Sequence, residues 1–391
     1  MKHRNLTTAL GLAAAWMLTP NLAADPGTPV WCNPFGDGSN GDVVINDDTQ
    51  LQENMNYCQL TVMGGVTLDL NGHVLRVAGT LINYGTITDT CCGGSGGNGG
   101  DGGYGGNPCQ DVWPDQGECG DPGQPGGCDG KGGDGGDGGD GGGGGGGAWH
   151  MCVGVCADAD GGDGGDGGDG GNGGGYVNLY VFRLINEGII HADGTDGQDA
   201  DDGTDGEYFK YRCLGLWKDM AGGGGGGGSG GDGGDGGTIE IHYAYMNGDG
   251  TIAANGGDGG ARGDRGLGGR TTDGECCVYA TPLGHLQGGA QACGNAGDGG
   301  DGEYRVGYCS EDGQNGSSGS DGQTGTVSLT NIHFGDVNCD GCTDVEDLLH
   351  CLGCWGPCPD PCPPPCDCDL NCDCVVDTQD LLELLAAWDP C

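Results

Sequence analysis

Glycine sets the terms for this chain. Of 391 residues 99 are Gly, and long stretches place it at two of every three positions. The interruptions keep step: Asp134, Asp137 and Asp140, then Asp160, Asp163, Asp166, Asp169 and Asn172, then Ser229, Asp232 and Asp235. Three residues per turn is the period of the extended left-handed helix, which rises about 3.1 Å per residue. Side chains then line one edge, and the other two edges are bare backbone that can bond to neighbouring strands of the same kind. Such triplets suit either a bundle of polyglycine-type helices or a solvated, self-repelling disordered chain. The Gly-rich excursions run over 91–174, 195–236 and 255–324.

Between them the apolar residues gather in four islands. These are Gly65–Ile87, Gly175–Ile190, Gly237–Ile252 and Gly325–Ile332. Each opens on Gly and continues in period-two alternation, the pattern of a strand. Three close on related words: Leu81-Ile82-Asn83-Tyr84-Gly85-Thr86-Ile87, Leu184-Ile185-Asn186-Glu187-Gly188-Ile189-Ile190 and Met246-Asn247-Gly248-Asp249-Gly250-Thr251-Ile252. Short strands that cannot bury a face alone, repeated with insertions on one side, suggest a solenoid. The expected fold is mostly β: a short, right-handed parallel β-helix-like solenoid over 25–335, with a β-sandwich as the alternative. Tyr176, Tyr180, Tyr243 and Tyr245 recur in the second and third islands, where they either pack the solenoid or line a carbohydrate groove.

Leu, Ile, Val and Phe amount to only 60 of 391 residues, and the formal net charge is −46. A chain so poor in aliphatics and so charged does not fold on apolar burial alone. Order has to come from backbone hydrogen bonds, disulfides and cations. The charge argues against nucleic acid and anionic membranes as partners, since both would be repelled. Residues 1–24 read as a secretory signal, with Lys2 and Arg4 before an apolar run and Ala23-Ala24 as the cleavage point. No other segment is long and apolar enough to span a bilayer. The 25 cysteines agree with an exported, disulfide-bonded protein, and their odd number leaves one over.

Residues 336–391 hold the most specific motif, a loop that occurs twice. The first is Asp336-Val337-Asn338-Cys339-Asp340-Gly341-Cys342-Thr343-Asp344-Val345-Glu346-Asp347, and the second is Asp369-Leu370-Asn371-Cys372-Asp373-Cys374-Val375-Val376-Asp377-Thr378-Gln379-Asp380. Both put oxygen side chains at loop positions 1, 3, 5, 9 and 12, the spacing a curled loop needs around a cation that takes six to eight oxygens. Each leads into an apolar helical run, Leu348-Leu349 and Leu381-Leu382. Two calcium ions are the expected cofactors. Position 6, which favours Gly for its sharp turn, is Cys374 in the second loop, so that residue is expected at positive φ under some strain.

The doubled loop resembles the dockerin domain, the calcium-dependent tail by which extracellular polysaccharide-degrading proteins attach to cohesin modules. Asp at position 12 and one helix after each loop fit that family. The resemblance implies ligands from Asp336, Asn338, Asp340, the Cys342 carbonyl, Asp344 and Asp347 for one ion. For the other it implies Asp369, Asn371, Asp373, the Val375 carbonyl, Asp377 and Asp380. Positions 10 and 11, Val345-Glu346 and Thr378-Gln379, depart from the family's familiar Ser/Thr pair, so no particular cohesin is implied.

No catalytic residue is assigned. Gly93-Gly94-Ser95-Gly96-Gly97 has nucleophile-elbow spacing but no strand-to-helix frame, and Gly132 stands where a phosphate loop after Lys131 needs Ser or Thr. His150, Cys152 and Cys156, and the cysteines from Cys354 to Cys368, read as disulfide partners before metal ligands. The expectation is a non-catalytic, secreted or cell-surface spacer or adhesive protein that attaches through its tail to a cohesin-type partner. The alternative is a carbohydrate-binding or polysaccharide-degrading component of an extracellular assembly; as an enzyme it would be a polysaccharide-active hydrolase or lyase.

Overall fold

The computed structural model describes residues 34–36, 38–110, 113–152, 155–213, 216–269, 284–286, 289–299, 310–332, 335, 337, 342–358, 368–370 and 373–388. The leader assigned to 1–24 lies outside them. Two parallel sheets organise the islands. The larger holds β1 (Asp42–Ile45), β3 (Met55–Tyr57), β4 (Gln59–Val62), β6 (Leu75–Asn83), β10 (Tyr176–Asn186), β14 (Thr238–Asn247) and β17 (Thr326–Asn331), ordered β1-β4-β6-β10-β14-β17 with β3 also on β6. The smaller holds β2 (Thr49–Gln50), β5 (Thr67–Asp69), β7 (Thr86–Thr88), β11 (Ile189–His191) and β15 (Thr251–Ala253), ordered β15-β11-β7-β5-β2. Every strand pair in both sheets is parallel, unlike the antiparallel pairing of a sandwich.

The chain alternates between the sheets, β6 to β7, β10 to β11, β14 to β15, and each pass lies beside the one before. Register stacks like residues. Leu75, Leu179, Ile241 and Leu329 form one row, and Val177, Ile239 and Val327 another. Leu60, Val62, Leu68, Ile87, Val181, Leu184 and Ile190 fill the space between the sheets. One irregularity breaks the alternation: the β6–β10 register shifts between Val181 and Arg183, where β6 carries the extra residue, and Leu184 rejoins this core one step out of period, while Phe182 shares the outward parity of Tyr180 and points away from it.

The repeated closing words mark the corner between sheets. Asn83 and Asn186 are both buried there. Asn83 Nδ2 donates to Asn186 Oδ1 at 2.8 Å, and Asn83 Oδ1 accepts from the Gly85 amide at 3.1 Å. Asn186 Nδ2 reaches the Thr251 carbonyl of the next pass at 3.3 Å. An amide side chain has both a donor and an acceptor, so a column of Asn can satisfy buried corner backbone one layer after another.

The excursions are extended segments joined by hydrogen bonds that recur every third residue. Segment 222–237 is bonded on all three edges. Gly222, Gly225, Gly228, Gly231 and Gly234 donate to Glu207, Thr204, Asp201, Gln198 and Thr195. Gly223, Gly226, Ser229, Asp232 and Asp235 donate to Gly146, Gly143, Asp140, Asp137 and Asp134. Gly224, Gly227, Gly230, Gly233 and Gly236 donate to Glu311, Gln314, Ser317, Ser320 and Gln323. Ser229, Asp232 and Asp235 carry side chains on an edge that is filled at Gly226 by Gly297, which explains the unbroken run Gly222–Gly228: a Cβ on any of Gly224–Gly228 would collide with a neighbour's backbone.

Aspartates occupy edges where a neighbour's amide lacks a carbonyl. Asp163, Asp166, Asp169 and Asn172 accept from the amides of Gly105, Gly102, Gly99 and Gly96 at 2.7–3.0 Å. Asp134, Asp137 and Asp140 do the same for Gly126, Gly123 and Gly120. Asp193, Asp196, Asp199, Asp202 and Asp205 serve the segment that begins near Asn255. The carboxylate rows thus act as backbone acceptors, in charge-assisted bonds stronger than neutral ones.

Two hairpins and one added strand cover one end of these segments: β8 (Ala148–Cys152) with β9 (Val155–Ala159), β12 (Tyr208–Cys213) with β13 (Leu216–Ala221), and β16 (Gly284–Leu286) on β8. Disulfides Cys92–Cys128 and Cys119–Cys293 tie segments together, while Cys91 is an exposed free thiol. At the turn after Gly127, Lys131 pairs with Glu240 and lies over the Tyr176 ring, pinning the bundle to the outer face of β10 and β14. Burial, with Glu240 beside it, pushes the Tyr176 hydroxyl up to about 12.

Where β9 leaves this end, Asp160 is a local liability. Burial first, then Asp158, Glu207 and Asp163, pushes its carboxyl up to about 6, and its Oδ1 is buried without a hydrogen-bond partner. The folded state holds this proton more tightly than the unfolded state. The contribution to stability is therefore full below about pH 4 and is lost as pH rises through about 6. Asp160→Asn is expected to raise the neutral-pH melting temperature and to flatten that slope; urea titrations of both proteins across this window check it.

Candidate metal centre

In the tail, α1 (Val345–Gly353) and α2 (Thr378–Ala386) each begin on an Asp. Asp344 and Asp377 are N-caps with extended backbone at φ −138° and −139°, and their Oδ1 atoms accept from the amides of Glu346 and Gln379. Three residues on, Asp347 and Asp380 reach back to the amides of Asp344 and Asp377, both at 2.8 Å, completing reciprocal capping boxes. Loop positions 9 and 12 thus double as helix-start signals. A short antiparallel pair, β18 (Gly356–Pro357) with β19 (Val375–Val376), joins the two halves.

Asp347 and Asp380 are fully buried. The second oxygen of each accepts a loop amide, that of Val337 at 2.8 Å and of Leu370 at 2.7 Å. The second loop curls around its first carboxylate: Asp369 accepts from the amides of Asp373 at 3.0 Å and Cys374 at 2.9 Å. Asp373 accepts from Val375 at 2.9 Å. Cys374 takes φ +69°, the left-handed conformation that position 6 demands.

The described members of the second ligand set, Asp369, Asp373, Val375, Asp377 and Asp380, therefore fall on one short loop and the first turn of its helix. Of the first set, Cys342, Asp344 and Asp347 are described. Asp336, Asn338, Asp340 and Asn371 lie outside the described residues. The electrostatics suit a cation. Burial raises the Asp369 carboxyl above its ordinary value, and Asp380 and Asp373 add repulsion. Carboxylates bend the local field toward a hard divalent ion, and each backbone-bonded oxygen keeps a lone pair to ligate it.

Glu383, one turn into α2, was not anticipated from the loop spacing. Its Oε2 is buried without a hydrogen-bond partner. Burial and then Asp380 raise its carboxyl, opposed by Arg183 of β10. The only sequence signal was an acid at a helix position whose counterpart in the first repeat is His350. His350, Cys354 and Cys368 bring ligand atoms together, but Cys368 is bonded to Cys351. Cys119 and Cys293 cluster with Asp140 and are likewise bonded to each other. The side chains of His150, Cys152 and Cys156 lie outside the described residues.

The tail packs on the outer face of the larger sheet. Cys351, Cys368, Leu370, Val376 and Leu384 share one apolar cluster with Phe35 and Phe182. The Phe182 ring stands edge-on to Phe35 at 6.1 Å and to Tyr245 at 5.4 Å. Phe182, outward by the ordinary alternation of β10, therefore provides part of the seat for the tail.

Both helices leave an apolar stripe uncovered. Leu349 and Leu352 on α1 are 62% and 46% exposed, and Leu382 and Leu385 on α2 are 65% and 48% exposed. Trp355 and Trp388 follow each stripe, also exposed. No helix among the described residues is long and apolar enough to cross a membrane. The chain matches no protein-family model, no curated protein and no solved structure.

Proposed function

We propose that this is a non-catalytic extracellular spacer or adhesive protein whose calcium-loaded, dockerin-like tail attaches it to a cohesin-type or cell-surface partner. The observation that carries the reading is the internal repetition of the tail. Two acidic loops lead into two equally capped helices, and each helix exposes an equivalent Leu–Leu–Trp stripe. Buried carboxylates gathered on a curled loop ask for a cation, and duplicated exposed apolar residues ask for a partner. In this reading Asp369, Asn371, Asp373, the Val375 carbonyl, Asp377 and Asp380 hold one ion. Asp336, Asn338, Asp340, the Cys342 carbonyl, Asp344 and Asp347 hold the other. The bound metal supplies charge neutralisation that lets the loops close.

The body is the rigid stalk. The alternation of the chain between two parallel sheets supports a short parallel β-helix. The three-residue hydrogen-bond period supports a bundle of polyglycine-type helices laid against it. Its acid-covered surface keeps so glycine-rich an object soluble.

The test is calorimetry of calcium binding to the whole secreted chain, followed by binding to a panel of cohesin modules with and without calcium. Leu349→Glu with Leu382→Glu is expected to abolish capture while leaving calcium uptake intact. No calcium uptake by the wild-type tail would sink the proposal. A carbohydrate-binding reading draws on a groove lined by Tyr104, Asp101, Asp115, Gln116 and Glu118, in which the Tyr104 ring is exposed. Glycan-array binding that Tyr104→Ala removes would favour it.

A further inference from the structure

We propose that the open edge of β17 is the face through which two copies of this chain associate. β17 is the last strand of the larger sheet and pairs only with β14. Its backbone bonds to neighbours run to that side: Thr326 donates to Gly237, and Ile332, just beyond the strand, donates to Tyr243. The other edge offers a row of amides and carbonyls with no partner among the described residues. Such an edge is a template for another strand.

The core is also open there. Val327 and Leu329 continue rows whose earlier members, Ile239 and Ile241, are 0% exposed, yet they themselves are 41% and 43% exposed. All six residues of β17 are exposed. The stack therefore ends on uncovered aliphatic side chains rather than on a polar cap, and a repeat structure needs such a cap to stay apart from its neighbours.

Charge identifies the occupant. Natural edge strands are guarded by charged side chains. In this chain, with 58 acids in 391 residues, the stretch from Gly313 to Asn331 has one, Asp321. That carboxylate turns inward to accept the Gly259 amide at 3.0 Å. β17 itself, Thr-Val-Ser-Leu-Thr-Asn, carries no charge. The opposite end of the stack carries Asp42, Asp47, Asp48 and Glu53 around β1 and β2. A second copy bears the same large negative charge, so it approaches best where charge has been withheld, and the β17 layer is such a place among the described residues. Two β17 strands related by a two-fold axis run antiparallel, match donors to acceptors, and cover each other's Val327 and Leu329. The contact is self-complementary and closes at a dimer.

Sedimentation velocity on the whole secreted chain, with reductant-free and thiol-blocked samples compared to remove any Cys91 bridge, tests this. A dimer is expected in both samples. Val327→Glu with Leu329→Glu is expected to weaken it ~100-fold, because like charges then meet across the axis. Leu349→Glu with Leu382→Glu is expected to leave it unchanged. Circular dichroism checks that the β17 variant is folded. If that variant does not fold, amide exchange of wild-type 326–331 decides: slowing with protein concentration supports the dimer. A monomeric wild type, a dimer that survives the β17 substitutions, a dimer lost only with the tail substitutions, or concentration-independent exchange would each overturn the proposal.

Discussion

Gly228→Ala is expected to destabilise the body by about 3 kcal/mol, the upper range for overpacking a close-fitted interior. The new methyl group would meet the backbone carbonyl of Asp166, while the Gly228 amide must still reach Asp201 at 3.1 Å. Neither neighbour is a side chain that can rotate away. Each is fixed by its own bonds to further segments, so relief requires moving several segments together. Restricting the unfolded chain works in the opposite direction but is worth only about 0.4–1 kcal/mol. Gly64→Ala supplies the control. Gly64 is exposed, its backbone needs no positive φ, and its nearest neighbour would be the Tyr84 carbonyl at 3.7 Å. That substitution is expected to be neutral or stabilising by the same few tenths to 1 kcal/mol. Urea unfolding with disulfides intact measures both. Equal effects at the two positions would show that segment 222–237 is not enclosed as described.

Asp380→Ala is expected to have the second large effect. The carboxylate is buried and serves two amides, Leu370 at 2.7 Å and Asp377 at 2.8 Å. Removing it orphans both donors, each at a cost of about 1–3 kcal/mol. It also ends the capping box of α2, so the tail should lose helix content and its seat on Phe182. Asp380→Asn keeps one acceptor oxygen and places an NH2 against an amide donor, so an intermediate loss is expected. Calcium separates the structural role from the proposed ligand role. If Asp380 holds the second ion, Ala reduces the calorimetric stoichiometry from two ions to one, and chelation of the wild type mimics the spectral change. Full calcium uptake by Asp380→Ala would remove Asp380 from the ligand set while leaving its capping role intact.

The two substitutions probe opposite kinds of order. At Gly228 the structure depends on the absence of a side chain, because three neighbours need the space. At Asp380 it depends on one side chain whose two oxygens hold a loop to a helix. A chain with few aliphatics uses both devices, since burial between the sheets involves only a narrow column of Leu, Ile and Val.

Much of this was legible in sequence because it is local. Period-two alternation placed the long strands β6, β10, β14 and β17 in the four islands, and an excess of β structure followed from it. β1 to β4 fall outside those islands; their short runs carry too little alternation to stand out. The period of three in the excursions is a property of single strands, visible in Asp163-Asp166-Asp169 without any knowledge of their neighbours. The positive φ of Cys374 followed from its place in a twelve-residue loop. The pairing Cys92–Cys128 did not, since spacing says nothing about which cysteines meet.

What tertiary structure alone decided is the use made of each edge. Sequence shows that Asp163 recurs in a row; only the packed bundle shows that one oxygen of its exposed carboxylate accepts the Gly105 amide. Sequence shows an unbroken run at Gly222–Gly228; only the lattice shows three neighbours around it. Alternation puts Phe182 on the outer face of β10 with Tyr180; only the fold shows that the tail covers it there. Periodicity is set by the geometry of consecutive residues, whereas partners are set by hydrogen bonds between residues tens of positions apart, and only the folded chain brings those together.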